Sequence, residues 1–188
     1  MLSDVDNTNL ASLTVTLTTR PDGADEELTA VVAGTSISLT AYDSGTGVLL
    51  LSGSDTVANY QQVLRTVRYE NTSQDPTETA RTVTFVADDG TDNSNTGTTT
   101  ITVTGVNDAA VLDLDDNNSS GESGANYATT FTEDGGSVLI ADTDAVLSDV
   151  DNTNLASLTV TLTTRPDGAD EELTAVVAGT SISLTAYD

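Results

Sequence analysis

Apolar and polar residues alternate with a period of two along most of this chain. Leu13, Val15 and Leu17 alternate with Thr14, Thr16 and Thr18, and Ile37, Leu39 and Ala41 with Ser38 and Thr40. Val67 and Tyr69 flank Arg68, Val83 and Phe85 alternate with Thr82 and Thr84, and Ile101 and Val103 with Thr100, Thr102 and Thr104. Successive side chains of a strand point to opposite faces, so each run predicts a strand with one buried and one solvated face. Short apolar stretches at 28–32, 48–51, 111–114, 127–132 and 138–141 predict further strands. Turn residues punctuate them: Pro21-Asp22-Gly23, Ser44-Gly45, Asp89-Gly90 and Asp134-Gly135-Gly136. Tyr60, Val63, Leu64 and Val67 instead fall at helical spacing, and 56–64 is expected to be a short helix crossing between two sheets. The polar segment 113–124 (DLDDNNSSGESG) is expected to be a loop. Many short strands separated by turns predict an all-β sandwich.

A repeat sets the organisation. Residues 2–43 and 147–188 are identical letter for letter, a 42-residue match with a period of 145. That period suits one whole domain per repeat, not a solenoid turn. Identity without one substitution points to recent tandem duplication. The chain therefore reads as an excerpt of an array, starting inside one repeat and stopping inside the next.

Charge changes the picture. The 188 residues include 30 acidic and 5 basic ones, all Arg, for a net charge of −25, with no His, Cys, Lys or Trp. Without Cys or His, thiolate, imidazole and Cys/His metal chemistry are absent. Without Lys, Schiff-base chemistry is absent, and so much negative charge repels nucleic acid and anionic membranes. No apolar run approaches the ~18 residues of a membrane span. The first ten residues (MLSDVDNTNL) lack the features of a signal peptide. Thr is the commonest residue, 35 of 188, as suits the solvated faces of strands. Carboxylates at this density repel one another unless cations neutralise them.

Several pieces in combination resemble the cadherin-like repeats of giant bacterial surface proteins, including the extender regions of RTX adhesins. They are Leu64-Arg65, Tyr69-Glu70-Asn71-Thr72-Ser73, Ala87-Asp88-Asp89-Gly90 and Val106-Asn107-Asp108-Ala109, within the stretches 56–109 and 131–162. The resemblance implies a cadherin- or immunoglobulin-like sandwich. On the family's register, 1–106 is the later part of one repeat and 107–188 the earlier part of the next. Ala110 stands where family linkers often carry Pro, which leaves the linker without one conformational lock. The glycine-rich calcium nonapeptide of RTX secretion regions is absent.

Candidate chemistry rests on carboxylates. Ca²⁺ takes six to eight oxygens, commonly from Asp, Glu, Asn and backbone carbonyls. Asp-x-Asp in extended chain aims two carboxylates the same way. Such pairs are Asp4/Asp6, the copy Asp149/Asp151, Asp113/Asp115 and Asp142/Asp144; Asp88-Asp89 with Asp92, and Asn107-Asp108, add to them. None is an EF-hand, because the Gly and Glu of that loop are missing. Strand parity is expected to bring Asp4, Asp6 and the loop 70–79 to the pole of the linker Asn107-Asp108. Asp22, Asp25, Asp88, Asp89 and Asp92 are then expected at the opposite pole. Asp167 and Asp170 are expected to face the linker from the next repeat. Eukaryotic cadherins place calcium at such junctions, and the resemblance implies the same here. An enzyme is not expected, because the acids are spread over loops without the stacking aromatics of a sugar-cleaving cleft. The resemblance implies an extracellular spacer on a bacterial cell surface, stiffened by Ca²⁺, whose partners are neighbouring repeats. A carbohydrate- or protein-binding module is the alternative. Exposed sheet edges at the two cut ends leave three outcomes open: end-to-end strand exchange, with 107–146 of one molecule completing 1–106 of another; self-contained folding of 1–106 with about seven strands; or self-closure, with the 113–124 loop spanning the domain.

Overall fold

The computed structural model describes residues 7–185 and Tyr187. The chain falls into two compact units, divided after Asp151.

The first unit is built of antiparallel sheets with one helix. Five strands form the larger sheet: β1 (Asn9–Leu17), β3 (Ser38–Asp43), β4 (Val48–Thr56), β6 (Arg81–Asp88) and β7 (Gly97–Ile101), in the order β3-β4-β1-β6-β7. Two more, β2 (Glu26–Thr29) and β5 (Arg68–Asn71), pair as a smaller sheet. The Leu13, Val15, Leu17 alternation buries all three on one face of β1, against Leu49 and Leu51 of β4 and Val83 and Ala87 of β6. Leu28 of β2 closes the same core from the smaller sheet. A register shift between Leu10 and Ser12 lies opposite Gly53, whose φ of 118° is open mainly to glycine. Helix α1 (Val57–Leu64) leads from β4 in one sheet to β5 in the other, the crossing its spacing predicts. Thr56 caps it, its side chain accepting from the Asn59 amide at 3.2 Å. Tyr60 and Val63 face the core, and the Tyr60 hydroxyl donates to the Gly53 carbonyl at 2.8 Å.

Three expectations are corrected. The ladder of β7 stops at Ile101 because its partner β6 begins at Arg81, so 102–104 lie beyond the sheet. The stretches 127–132 and 138–141 are not strands, for no neighbour offers them a ladder; Phe131, Leu139 and Ile140 stay 66%, 64% and 49% exposed. What forms after the linker is a three-residue hairpin of β8 (Val111–Asp113) with β9 (Val146–Ser148).

The second unit, from Asn152 onward, repeats the sequence of β1 to β3 without their strands. Its short-range turns survive. Gly23 and Gly168 both open a 3-10 turn, with φ of 63° and 61°. The Thr35 hydroxyl donates to Val32 O at 2.7 Å, and Thr180 does the same to Val177 O at 2.7 Å. Leu13 and Val15 are buried, whereas their copies Leu158 and Val160 are 64% and 54% exposed. Turns close within a few residues; a ladder needs a partner strand.

Candidate metal centre

The β8–β9 hairpin places the most concentrated group of carboxylates. Asp115 follows β8 and Asp142 and Asp144 precede β9, so closing the hairpin brings them together. One oxygen from each lies within 4.8 Å of the others. The Asp142 amide donates to Leu114 O at 2.8 Å and locks the two arms side by side. Asp115 is fully buried, and its oxygens accept the Ser119 amide at 2.9 Å and the Ser120 amide at 2.8 Å. The Ser120 hydroxyl beside it, together with these amides, outweighs burial and holds the Asp115 carboxyl below the usual range. The Ser119 hydroxyl, 3.0 Å from Asp142 Oδ2, and the Thr143 hydroxyl do the same for Asp142. Both are therefore anions at neutral pH. Asp144 Oδ1 is buried and accepts no hydrogen bond. A buried carboxylate oxygen without a donor is costly, and among the described residues no cationic side chain pairs with the three. Three converging carboxylates, one of them with a buried oxygen that accepts no hydrogen bond, can hold a metal ion.

A second acidic group sits at the linker. The Asp108 amide donates to Asp151 Oδ2 at 2.9 Å, and the Asp151 amide to Asp149 Oδ1 at 3.2 Å. The Asn107 side chain donates to Asp108 O at 2.5 Å. A shallow cleft here is lined by Asp108, Ala109, Asp149 and by Gln74 from the loop 70–79. The Gly105 amide donates to Glu78 Oε1 at 3.0 Å, so that loop does reach the linker's pole as expected.

The pole assignment of the other acids is corrected by the register. β1 and β7 both run antiparallel to β6 and so run the same way. The start of β1 therefore lies at the pole away from the linker, where Asn7 donates to Asp89 Oδ2 at 2.9 Å. Asp4 and Asp6 lie outside the described residues. Asp88 and Asp89 cap their own turn, accepting the amides of Gly90 at 2.8 Å and Thr91 at 2.7 Å respectively. Asp22 and Asp25, expected with them, sit on the linker's side: the Asp25 carbonyl accepts the Thr72 amide at 2.9 Å. Asp113 stands beside the three-carboxylate cluster, accepting the Asp115 amide at 3.0 Å. Asp167 and Asp170 occupy the 3-10 turn of the second unit, where the Asp167 amide donates to Glu171 Oε2 at 3.4 Å.

Sequence reasoning missed one network. Arg81 is fully buried and donates through Nε to Glu26 Oε1 at 2.5 Å and through its guanidinium to Asp22 and to the carbonyls of Thr77 and Thr79. Glu26, 1% exposed, also accepts the Tyr69 hydroxyl at 2.9 Å. Asn71 donates to Asp22 Oδ2 at 2.7 Å. The signal was present: Arg81 shares the inward parity of Val83 and Ala87, and a cation there needs buried anions.

No family model, curated protein or solved structure matches the chain.

Proposed function

We propose that this chain is part of a calcium-stiffened spacer, a tandem cadherin-like array that holds a distal domain away from a bacterial cell. The reading rests on the cluster of Asp115, Asp142 and Asp144, with its buried oxygen that no donor satisfies. Several carboxylates converging in an irregular loop suit Ca²⁺, which accepts flexible geometry, better than Mg²⁺, which demands a near-ideal octahedron. Between Asp115 and Asp142 lie 26 residues with no ladder of their own. An ion shared by the two ends closes that excursion into a loop and replaces carboxylate repulsion with attraction. The exact 42-residue repeat is in keeping with length as the selected property. No helix among the described residues is long and apolar enough to cross a membrane.

Calorimetric titration tests the reading. The expected result is saturable Ca²⁺ binding and a melting temperature several degrees higher in millimolar Ca²⁺ than in chelator. The double variant Asp142→Asn, Asp144→Asn is expected to lose one site's heat and stoichiometry and much of that shift, leaving any second site at the linker to be counted separately. An unchanged melt with no heat removes calcium from the account. Recognition of a glycan on an array in the presence of chelator favours a carbohydrate-binding module instead.

A further inference from the structure

The β8–β9 hairpin carries acids at both of its ends, and one register places them all. Its pairs are Val111 with Ser148, Leu112 with Leu147 and Asp113 with Val146. Carried two residues past the last pair, the same register sets Asp115 opposite Asp144, in the metal centre. Carried three residues the other way, past Val111 and Ser148, it sets Asp108 opposite Asp151, where the Asp108 amide donates to Asp151 Oδ2 at 2.9 Å. A slip of one residue undoes both meetings at once. Little else fixes that register. A two-stranded hairpin is marginal in water without an apolar face to bury, and here Val111, Leu112, Val146 and Leu147 all stay exposed. At the metal centre the Asp142 amide, bonded to Leu114 O at 2.8 Å, draws the arms together. The anions Asp115 and Asp142, with Asp144 inside the same 4.8 Å, push them apart. Two buried oxygens at this end have no hydrogen-bond partner: Asp144 Oδ1, and Ser120 Oγ, which lies beside Asp115 but outside bonding geometry.

We propose that the cation at Asp115, Asp142 and Asp144 controls the linker from the far end of the hairpin: by closing the arms it fixes the register that brings Asp151 onto the Asp108 amide. The inference rests on the calcium reading of that centre. Direct action of the ion on the linker is too short in range. The three residues of β8 alone span about 10 Å, whereas calcium–oxygen bonds are about 2.3–2.6 Å long, so one ion cannot ligate both ends. At about 0.15 M salt its field is largely screened beyond roughly 8 Å. What remains is the ladder itself, an element with a closed and an open state whose balance both ends bias. Such coupling is reciprocal. Removing the brace weakens cation binding at the centre by the factor through which the cation strengthens the brace.

The test is NMR on the full chain in about 0.15 M salt, titrated with Ca²⁺ out of chelator. The Ser119 and Ser120 amides, bonded to Asp115, report occupancy of the centre. Solvent exchange of the Asp108 amide reports the brace. As the two serine signals shift, Asp108 exchange is expected to slow about fivefold or more. Asp144→Asn leaves every linker acid in place and is expected to remove both responses. Asp151→Ala leaves every acid of the centre in place, and is expected to weaken the affinity read at Ser119 and Ser120 by a similar factor. Both positions lie outside the core of the sandwich. Serine shifts that Asp144→Asn abolishes show that the centre binds calcium. Asp108 exchange that Ca²⁺ then leaves unchanged, or still slows in Asp144→Asn, overturns the coupling alone, as does an affinity at the centre that Asp151→Ala does not alter. Serine amides that never respond to Ca²⁺ overturn the calcium reading and this inference with it.

Discussion

Arg81 shows how one residue can hold two loops. Its guanidinium ties the turn of Asp22 to the loop carbonyls of Thr77 and Thr79, and Glu26 beneath is a second anion held by the same cation. Buried ion pairs give little net stability over an apolar replacement, but removing one partner strands the other charges. Arg81→Met leaves Glu26 and Asp22 buried without their cation, and is expected to cost about 3–5 kcal/mol in denaturant unfolding. The acids carry a pH signature. Burial pushes the Asp22 carboxyl up, but bonds from Thr77 and Asn71, with the Arg81 charge, overcome it and hold it low. Amides of Ser36 and Thr56, each at 2.7 Å, hold Asp55 low as well. A carboxyl depressed in the folded state stabilises fully above its unfolded value, near 3.9, and loses that contribution as pH falls through the folded value. In chelator, the melting temperature is therefore expected to hold flat from neutral pH to about 5 and to fall below about 4. Asp55→Asn should make that fall shallower. An equally steep fall in the variant assigns the acid sensitivity to other groups.

At the scale of elements, the two copies of one 42-residue sequence separate what is encoded locally from what is not. The 3-10 turns at Gly23 and Gly168 and the Thr35 and Thr180 turns form in both. The strands form only where β4, β5 and β6 stand ready. This also explains which parts of the fold were legible in the sequence. The alternation at 13–17 and 83–85 named a buried face, and the helix expected at 56–64 followed from its apolar spacing alone; its Thr56 cap came only with the structure. The stretches 127–132 and 138–141 had the composition of strands but not the neighbours. The carboxylate pairs Asp113/Asp115 and Asp142/Asp144 were legible singly, whereas their meeting depends on a three-residue hairpin that no periodicity announces. The poles were misassigned because parity was counted over strands that do not all belong to one sheet. The copies predict a sharp difference in mutational cost. Leu13→Ala opens a cavity in the core and is expected to cost about 2–5 kcal/mol. Leu158→Ala changes the same residue of the repeat at a site 64% exposed, and at micromolar protein should stay within about 0.5 kcal/mol. Equal costs measured by urea unfolding would mean that the second copy is packed in solution.

For the whole molecule the governing quantity is the net charge of −25. A chain so anionic repels itself at long range, and monovalent salt screens that repulsion without choosing a site. Bound Ca²⁺ acts where carboxylates converge. On the spacer reading the linker Asn107-Asp108, which has no Pro to stiffen it, would recur once per repeat; it is braced by the Asp151 carboxylate 2.9 Å from the Asp108 amide. Asp149 lines the same cleft, so three acids crowd one short connection. An ion held there would set the angle between repeats; without it, the linker bends and the carboxylates push the chain into many orientations. On the spacer reading, solution scattering from an array of several repeats is expected to show a smaller radius of gyration in chelator than in millimolar Ca²⁺, both at about 0.15 M salt, where long-range repulsion is already screened. Asp151→Ala in every repeat removes the brace and a ligand together. It should give the compact value in calcium, change little on chelation, and leave the sandwich's circular dichroism as in the parent. An Asp151→Ala array that stays as extended as the parent in calcium would mean that the stiffness comes from elsewhere, and would reduce the acids at the linker to solvated surface.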